Sequence, residues 1–203
     1  MTPIVSDSYK EKRKQEILES ALICFAKKGF ETSTVDDIVA QSGISKGAIY
    51  NYFKSKEEIY LELMSQKTEN NFNEIKKAID EYKTTSEKLD YLFSIYDTTF
   101  PYNEADLGEI VVSFEFKLHS SRNKEVNDIL TKRRHTYFLG LLTEIIRQGQ
   151  QNGELIKENK PEVFADLFWT MMDGLLAQTV YEDYPYHEVL KEMQVMFYNR
   201  IKL

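Results

Sequence analysis

The sequence predicts an all-α protein: an N-terminal helix-turn-helix head of three helices followed by a C-terminal helical body, about nine helices in all. Three observations carry this. Apolar residues recur at spacings of three and four positions through nearly the whole chain. The four prolines, Pro3, Pro101, Pro161 and Pro185, lie between the apolar runs and never inside one, where each would remove a helical hydrogen bond. Glycine is scarce, at eight in 203 residues, which leaves long helices separated by short joints.

In chain order, the first helix runs from Lys12 to Lys28 on the stripe Ile17, Leu18, Ala21, Leu22, Phe25 and Ala26, and Gly29 stands where a left-handed cap is wanted. Thr34-Val35-Asp36-Asp37 has the form of a capping box. It opens a short helix with Val35, Ile38 and Val39 apolar, which ends near Ser42-Gly43. Ser45 caps a third helix carrying Ala48, Ile49 and Phe53, and Ser55-Lys56-Glu57-Glu58 is a second capping box that starts a long helix through Ile59, Leu63, Phe72, Ile75 and Ile79. The second and third helices, each about two turns, are too short to be stable alone and must pack on the first and fourth. Two short helices joined by a glycine-bearing turn form a helix-turn-helix. Further helices are expected over roughly 86–99, 104–119, 124–151, 161–181 and 185–202, with Gly153 closing the third of these and Pro161 at a first-turn position. No repeat, low-complexity segment or strand pattern is present.

The net charge of -7 is uneven. Residues 1–60 hold nine basic and nine acidic side chains, so the whole acidic excess lies in the body. Lys10, Lys12, Arg13 and Lys14 crowd the start of the head, and a basic arm on an acidic body steers a polyanion to one end. There is no apolar leader and no run approaching the ~18 residues of a membrane span. With a single cysteine, Cys24, no internal disulfide can form. A cytoplasmic protein without membrane association is expected.

Residues 45–56 carry the chemistry. Ser45, Lys46 and Gly47 lie at a helix start, where free N–H groups favour phosphate. Lys46, Ala48 and Asn51 fall off the Ile49/Phe53 stripe and can face outward. Asn and Lys can bond base edges, and Ala can touch a thymine methyl. The hydroxyls of Tyr50 and Tyr52 suit phosphate oxygens.

Gly29-Phe30, Ser33-Thr34-Val35-Asp36-Asp37-Ile38, the run from Ser42-Gly43 to Tyr52-Phe53, and Lys54-Ser55-Lys56-Glu57 together resemble the TetR family of transcriptional regulators over about a quarter of the chain. Tyr52 departs from the pattern, which most often has His there. The resemblance implies a DNA-binding domain over 10–65 and a ligand-binding and dimerisation domain over 66–203. It further implies a homodimer and a repressor released from a pseudo-palindromic operator in double-stranded DNA by a small, mostly apolar molecule. Thr34, Ser45, Tyr50 and Lys56 would hold the DNA backbone, and Lys46, Gly47, Ala48 and Asn51 would approach bases.

The helices at about 161–181 and 185–202 are apolar on more than one face, and a surface helix needs only one stripe. A pairing surface is therefore expected there. Aromatic side chains are concentrated in the body, and aromatic walls with a few polar groups suit an apolar ligand. Tyr96, Phe100, Phe114, His119, Tyr137, Trp169 and Asp173 are the candidate lining, with Glu115 and Arg134 as further polar groups. An enzyme would need a different constellation. The histidines His119, His135 and His187 have no metal-ligand spacing, there is no glycine-rich phosphate loop, and no cofactor is expected. The other class open to this sequence is a helical ligand-binding protein with no DNA role. Salt-dependent DNA binding distinguishes the two.

Overall fold

The computed structural model describes residues 7–99, 103–158 and 160–202, apart from the side chains of Thr99, Glu104 and Ala105. The chain divides into two compact units, Met1–Thr68 with Glu104–Phe116, and Glu69–Asn103 with Lys117–Leu203.

In the first unit, α1 (Asp7–Lys28) buries Ile17, Leu18, Ala21, Cys24 and Phe25. It stops at Gly29, whose φ of 78° is left-handed. The Gly29 N–H bonds the Phe25 carbonyl at 2.8 Å. A reciprocal capping box between Thr34 and Asp37 starts α2 (Val35–Ser42), and left-handed Gly43 ends it. Ser45 accepts from the Ala48 N–H at the start of α3 (Lys46–Tyr50). At five residues α3 is shorter than the two turns expected. The Asn51 N–H bonds Ala48 and Tyr52 bonds Ile49. These tight i→i+3 bonds close the helix and turn the chain, so that Ser55 can cap Glu58 at the head of α4 (Lys56–Ile79).

Phe25, Phe30 and Tyr60 form the centre of this core. Phe116, on α6 (Glu104–Ser120), completes it, with its ring centroid 4.8 Å from Phe30 and 4.5 Å from Tyr60. Two further contacts fix that part of α6. Its Glu115 carboxylate accepts the Phe30 N–H at 2.6 Å. Gly108 lies so close to α1 that a Cβ there would stand 2.6 Å from the Ala26 carbonyl oxygen.

The second unit holds the end of α4, α5 (Thr85–Thr99), the last turn of α6, α7 (Lys124–Arg133), α8 (Gly140–Gln151), α9 (Pro161–Ala177) and α10 (Tyr186–Ile201). Leu89, Phe93, Leu142, Ile146, Phe164, Phe168, Leu190 and Phe197 lie in its core. The single helix expected over 124–151 is continuous in path, but Arg134–Leu139 is wound as a π-helix. The Phe138 carbonyl of this wider turn accepts the Trp169 indole N–H at 2.7 Å. A 3-10 turn, Gln178–Val180, follows α9. After left-handed Gly153 the chain returns beside the end of α10, where the Ile156 N–H bonds the Ile201 carbonyl at 3.0 Å.

Candidate nucleic-acid interface

The head presents its predicted residues on one short helix and its flanks. Ile49 and Phe53 are buried, while Ser45, Lys46, Gly47, Tyr50 and Asn51 are exposed and Ala48 and Tyr52 half-buried. Ile49 is the inward position of α3, and Phe53 turns inward after the i→i+3 bonds that close the helix. A Cβ added at Gly47 would meet nothing within 4 Å, so the protein's own packing does not require a glycine there.

Several of these side chains already have partners within the head. Thr34 caps α2, its hydroxyl donating to Asp37 at 2.8 Å and accepting from the Asp37 N–H. Asp37 is also ion-paired to Lys28. The Lys28 hydrogen bond, then the backbone and side chain of Thr34, hold the Asp37 carboxyl at about 2, below its ordinary value of 3.8. The Lys46 ammonium lies 2.9 Å from the Asp36 carboxylate. Lys56 is turned to the end of α1, where its ammonium donates to the Phe30 and Glu31 carbonyls at 2.6 and 3.1 Å and lies over the Phe30 ring. It thus supports the joint between α1 and α2, a duty that its spacing in the sequence did not reveal. Three members of the basic arm have acidic partners: Lys10 pairs with Asp7, Arg13 with Glu16 and Lys14 with Glu62.

The ligand candidates are dispersed. Phe114 belongs to the first unit and the other described ones to the second. Phe100 lies outside the described residues. Tyr96 and Trp169 share Phe168 as a neighbour, at 6.3 and 5.3 Å between ring centroids. The Tyr137 hydroxyl donates to Glu69 at 3.0 Å, and its ring packs on Phe72. Asp173 is ion-paired to Lys117, and Arg134 to Asp166. His119 is half-buried in the last turn of α6. An open groove of about 810 Å³ runs between the outer faces of α9 and α10, lined by Leu167, Met171, Val189, Met193, Met196 and Phe197 among others. Among the described residues, no cluster of side chains could hold a metal ion, and no helix is long and apolar enough to cross a membrane.

The family model described as "Bacterial regulatory proteins, tetR family" matches residues 17–63, and the one described as "BetI-type transcriptional repressor, C-terminal" matches residues 89–193. The HTH-type transcriptional regulator YfiR of Bacillus subtilis is 30% identical over 185 residues, covering 90% of this chain and 87% of that protein. The chain belongs to the tetR family. It is a DNA-binding transcriptional repressor. Another relative, the fatty acid metabolism regulator protein of Bacillus subtilis, is 27% identical, covering 92% of this chain and 94% of that one. The fold matches that of the fatty acid degradation regulator FadR from Bacillus halodurans, with a TM-score of 0.78 at 21% identity, over 91% of this chain and 94% of that one.

Proposed function

We propose that the protein works as a homodimer whose two heads read a pseudo-palindromic operator. The observation that carries this reading is the outward array on α3: Lys46, Gly47, Tyr50 and Asn51 face solvent while Ile49 and Phe53 anchor the helix from within. Ser45, Tyr50 and Tyr52 supply hydroxyls for phosphate oxygens, Thr34 does so only on giving up its bond to Asp37, and Lys46, Ala48 and Asn51 approach base edges from the major groove. Lys56 adds positive charge at the head of α4 and holds the α1–α2 joint.

Dimerisation is through α9 and α10. Each helix buries one stripe in its own unit and leaves a second apolar stripe outside, with Val163, Leu167, Val195 and Met196 all exposed. Along α9, Leu167, Met171 and Gly174 lie on one face, and Gly174 has nothing near its Cβ position, so a second helix can approach closely. The two-fold axis sets the heads on half-sites about one DNA turn, ~34–36 Å, apart.

The ligand is a small, mostly apolar molecule held by the second unit. The aromatic content of that unit supports this, as does the likeness to a fatty acid metabolism regulator. A ligand that binds one arrangement of the heads better than the other shifts the population toward it, and α4, which contributes residues to both units, is the link. Enrichment of duplexes from a random pool tests the reading. A symmetric consensus is expected, with log affinity falling linearly against log salt. Enrichment of nothing symmetric would contradict it.

A further inference from the structure

The two adjacent carboxylates at the head of α2 have different duties. Asp37 is structural: it accepts the Thr34 N–H at 2.9 Å and the Thr34 hydroxyl at 2.8 Å and pairs with Lys28. Asp36 does none of this. Its side chain is 70% exposed, and among the described residues its polar contact is the Lys46 ammonium at 2.9 Å, itself 50% exposed. An ion pair so open to water contributes little to folding. A negative charge held at the start of α3, beside the exposed Lys46, Gly47 and Tyr50, works against phosphate binding. The place of Asp36 in the first turn of α2 suits the helix dipole, but that does not require its pairing with Lys46.

We propose that Asp36 is a specificity-determining residue, which acts with Lys46 as a donor–acceptor pair that reads a G·C base pair in each half-site and penalises binding elsewhere. The inference rests on the reading of α2 and α3 as the DNA-contacting unit. In the major groove a guanine offers the acceptors N7 and O6, and its paired cytosine the N4 amine donor. A lysine ammonium and an aspartate carboxylate side by side are the complement of that edge. On a duplex of arbitrary sequence the same pair is a poor fit. Lys46 then exchanges one anion, the carboxylate, for another, a phosphate, and leaves Asp36 uncompensated beside the polyanion. The lysine therefore adds little to non-specific binding, although it is free to add fully at the right base pair.

The test uses the full-length protein and two probes, a duplex enriched from a random pool by the wild-type protein and a scrambled duplex of equal length. Asp36→Ala removes the acceptor and the charge at an exposed helical position, and its thermal midpoint reports that the head is intact. The expected result has three parts. Affinity for the scrambled duplex rises, with a salt slope steeper by about one released counterion for each Lys46 set free. The ratio of enriched to scrambled affinity falls by about tenfold. Re-selection with the variant loses the G·C preference at one symmetric pair of positions. In a Lys46→Met background the change of salt slope on Asp36→Ala disappears, because no lysine is set free. An unchanged ratio and an unchanged selected sequence would overturn the proposal, as would an equal loss of affinity for both duplexes. Failure of the wild-type protein to enrich any duplex is a separate outcome: it removes the DNA reading of α2 and α3, and the proposal with it.

Discussion

Gly47 and Gly108 are both helical glycines, and their surroundings differ. At Gly108 a methyl group would stand 2.6 Å from the Ala26 carbonyl oxygen, and backbone cannot swing aside as a side chain can. Gly108→Ala is expected to lower stability by about 1–3 kcal/mol, read as a lower urea midpoint. At Gly47 the space is open, so alanine relieves the entropic cost of a helical glycine. Gly47→Ala should leave stability unchanged or raise it by up to about 1 kcal/mol, yet weaken operator affinity if DNA approaches the backbone there. Unchanged affinity would remove Gly47 from the interface. Asp37 gives a prediction in pH. Its carboxyl is depressed from 3.8 to about 2 by Lys28 and Thr34. A depressed carboxyl contributes stability that is complete above its unfolded value and lost as pH falls through the folded one. The Asp37 contribution is therefore present above about pH 4 and disappears toward pH 2. A carboxyl-carbon NMR titration should place its midpoint near 2, and a midpoint near 4 would break the capping account.

At the scale of elements, the sequence was most legible where a local signal marks a helix end. Gly29, Gly43 and Gly153 are all left-handed and all end a helix, and Thr34 and Ser45 cap as their residue types suggest. Three features were not legible. The extent of α3 depends on i→i+3 bonds at Asn51 and Tyr52, and periodicity cannot resolve five residues from eight. The π-helical turn leaves the apolar pattern of 124–151 nearly intact, and its partner, Trp169, is 31 positions from Phe138. The third is the place of α6. Its sequence looks like any amphipathic helix, but Glu104–Phe116 completes the first unit through Phe116, Gly108 and the bond from Phe30 to Glu115, 85 positions apart. The duplicated apolar stripe of α9 and α10 could be read in advance because it is a count of faces within one helix. Met196 is 67% exposed on the outer stripe. Met196→Glu should therefore leave the fold intact but convert the dimer to monomer in sedimentation and abolish operator binding. A dimer that persists would move the interface elsewhere.

For the whole molecule, the division of charge was plain in the sequence, because the head is balanced and the body carries the excess acid. The use of those charges was not plain. Lys14 pairs with Glu62, Lys28 with Asp37 and Lys46 with Asp36, across turns and between helices, where no spacing rule applies. Lys10, Lys14, Lys28 and Lys46 of the head are thus already matched to internal carboxylates, while Lys56 is held by backbone carbonyls. The ligand candidates were the least legible part of the chain, because an aromatic residue at helical spacing reads the same whether it packs a core or lines a cavity. The central claim, that a dimer sets two heads on one face of the duplex, is tested most directly by hydroxyl-radical footprinting on an enriched duplex. The account predicts two symmetric protected patches centred one helical turn apart, about 10 base pairs, with two chains bound per site or a multiple of two. A single asymmetric patch with one chain bound would contradict it.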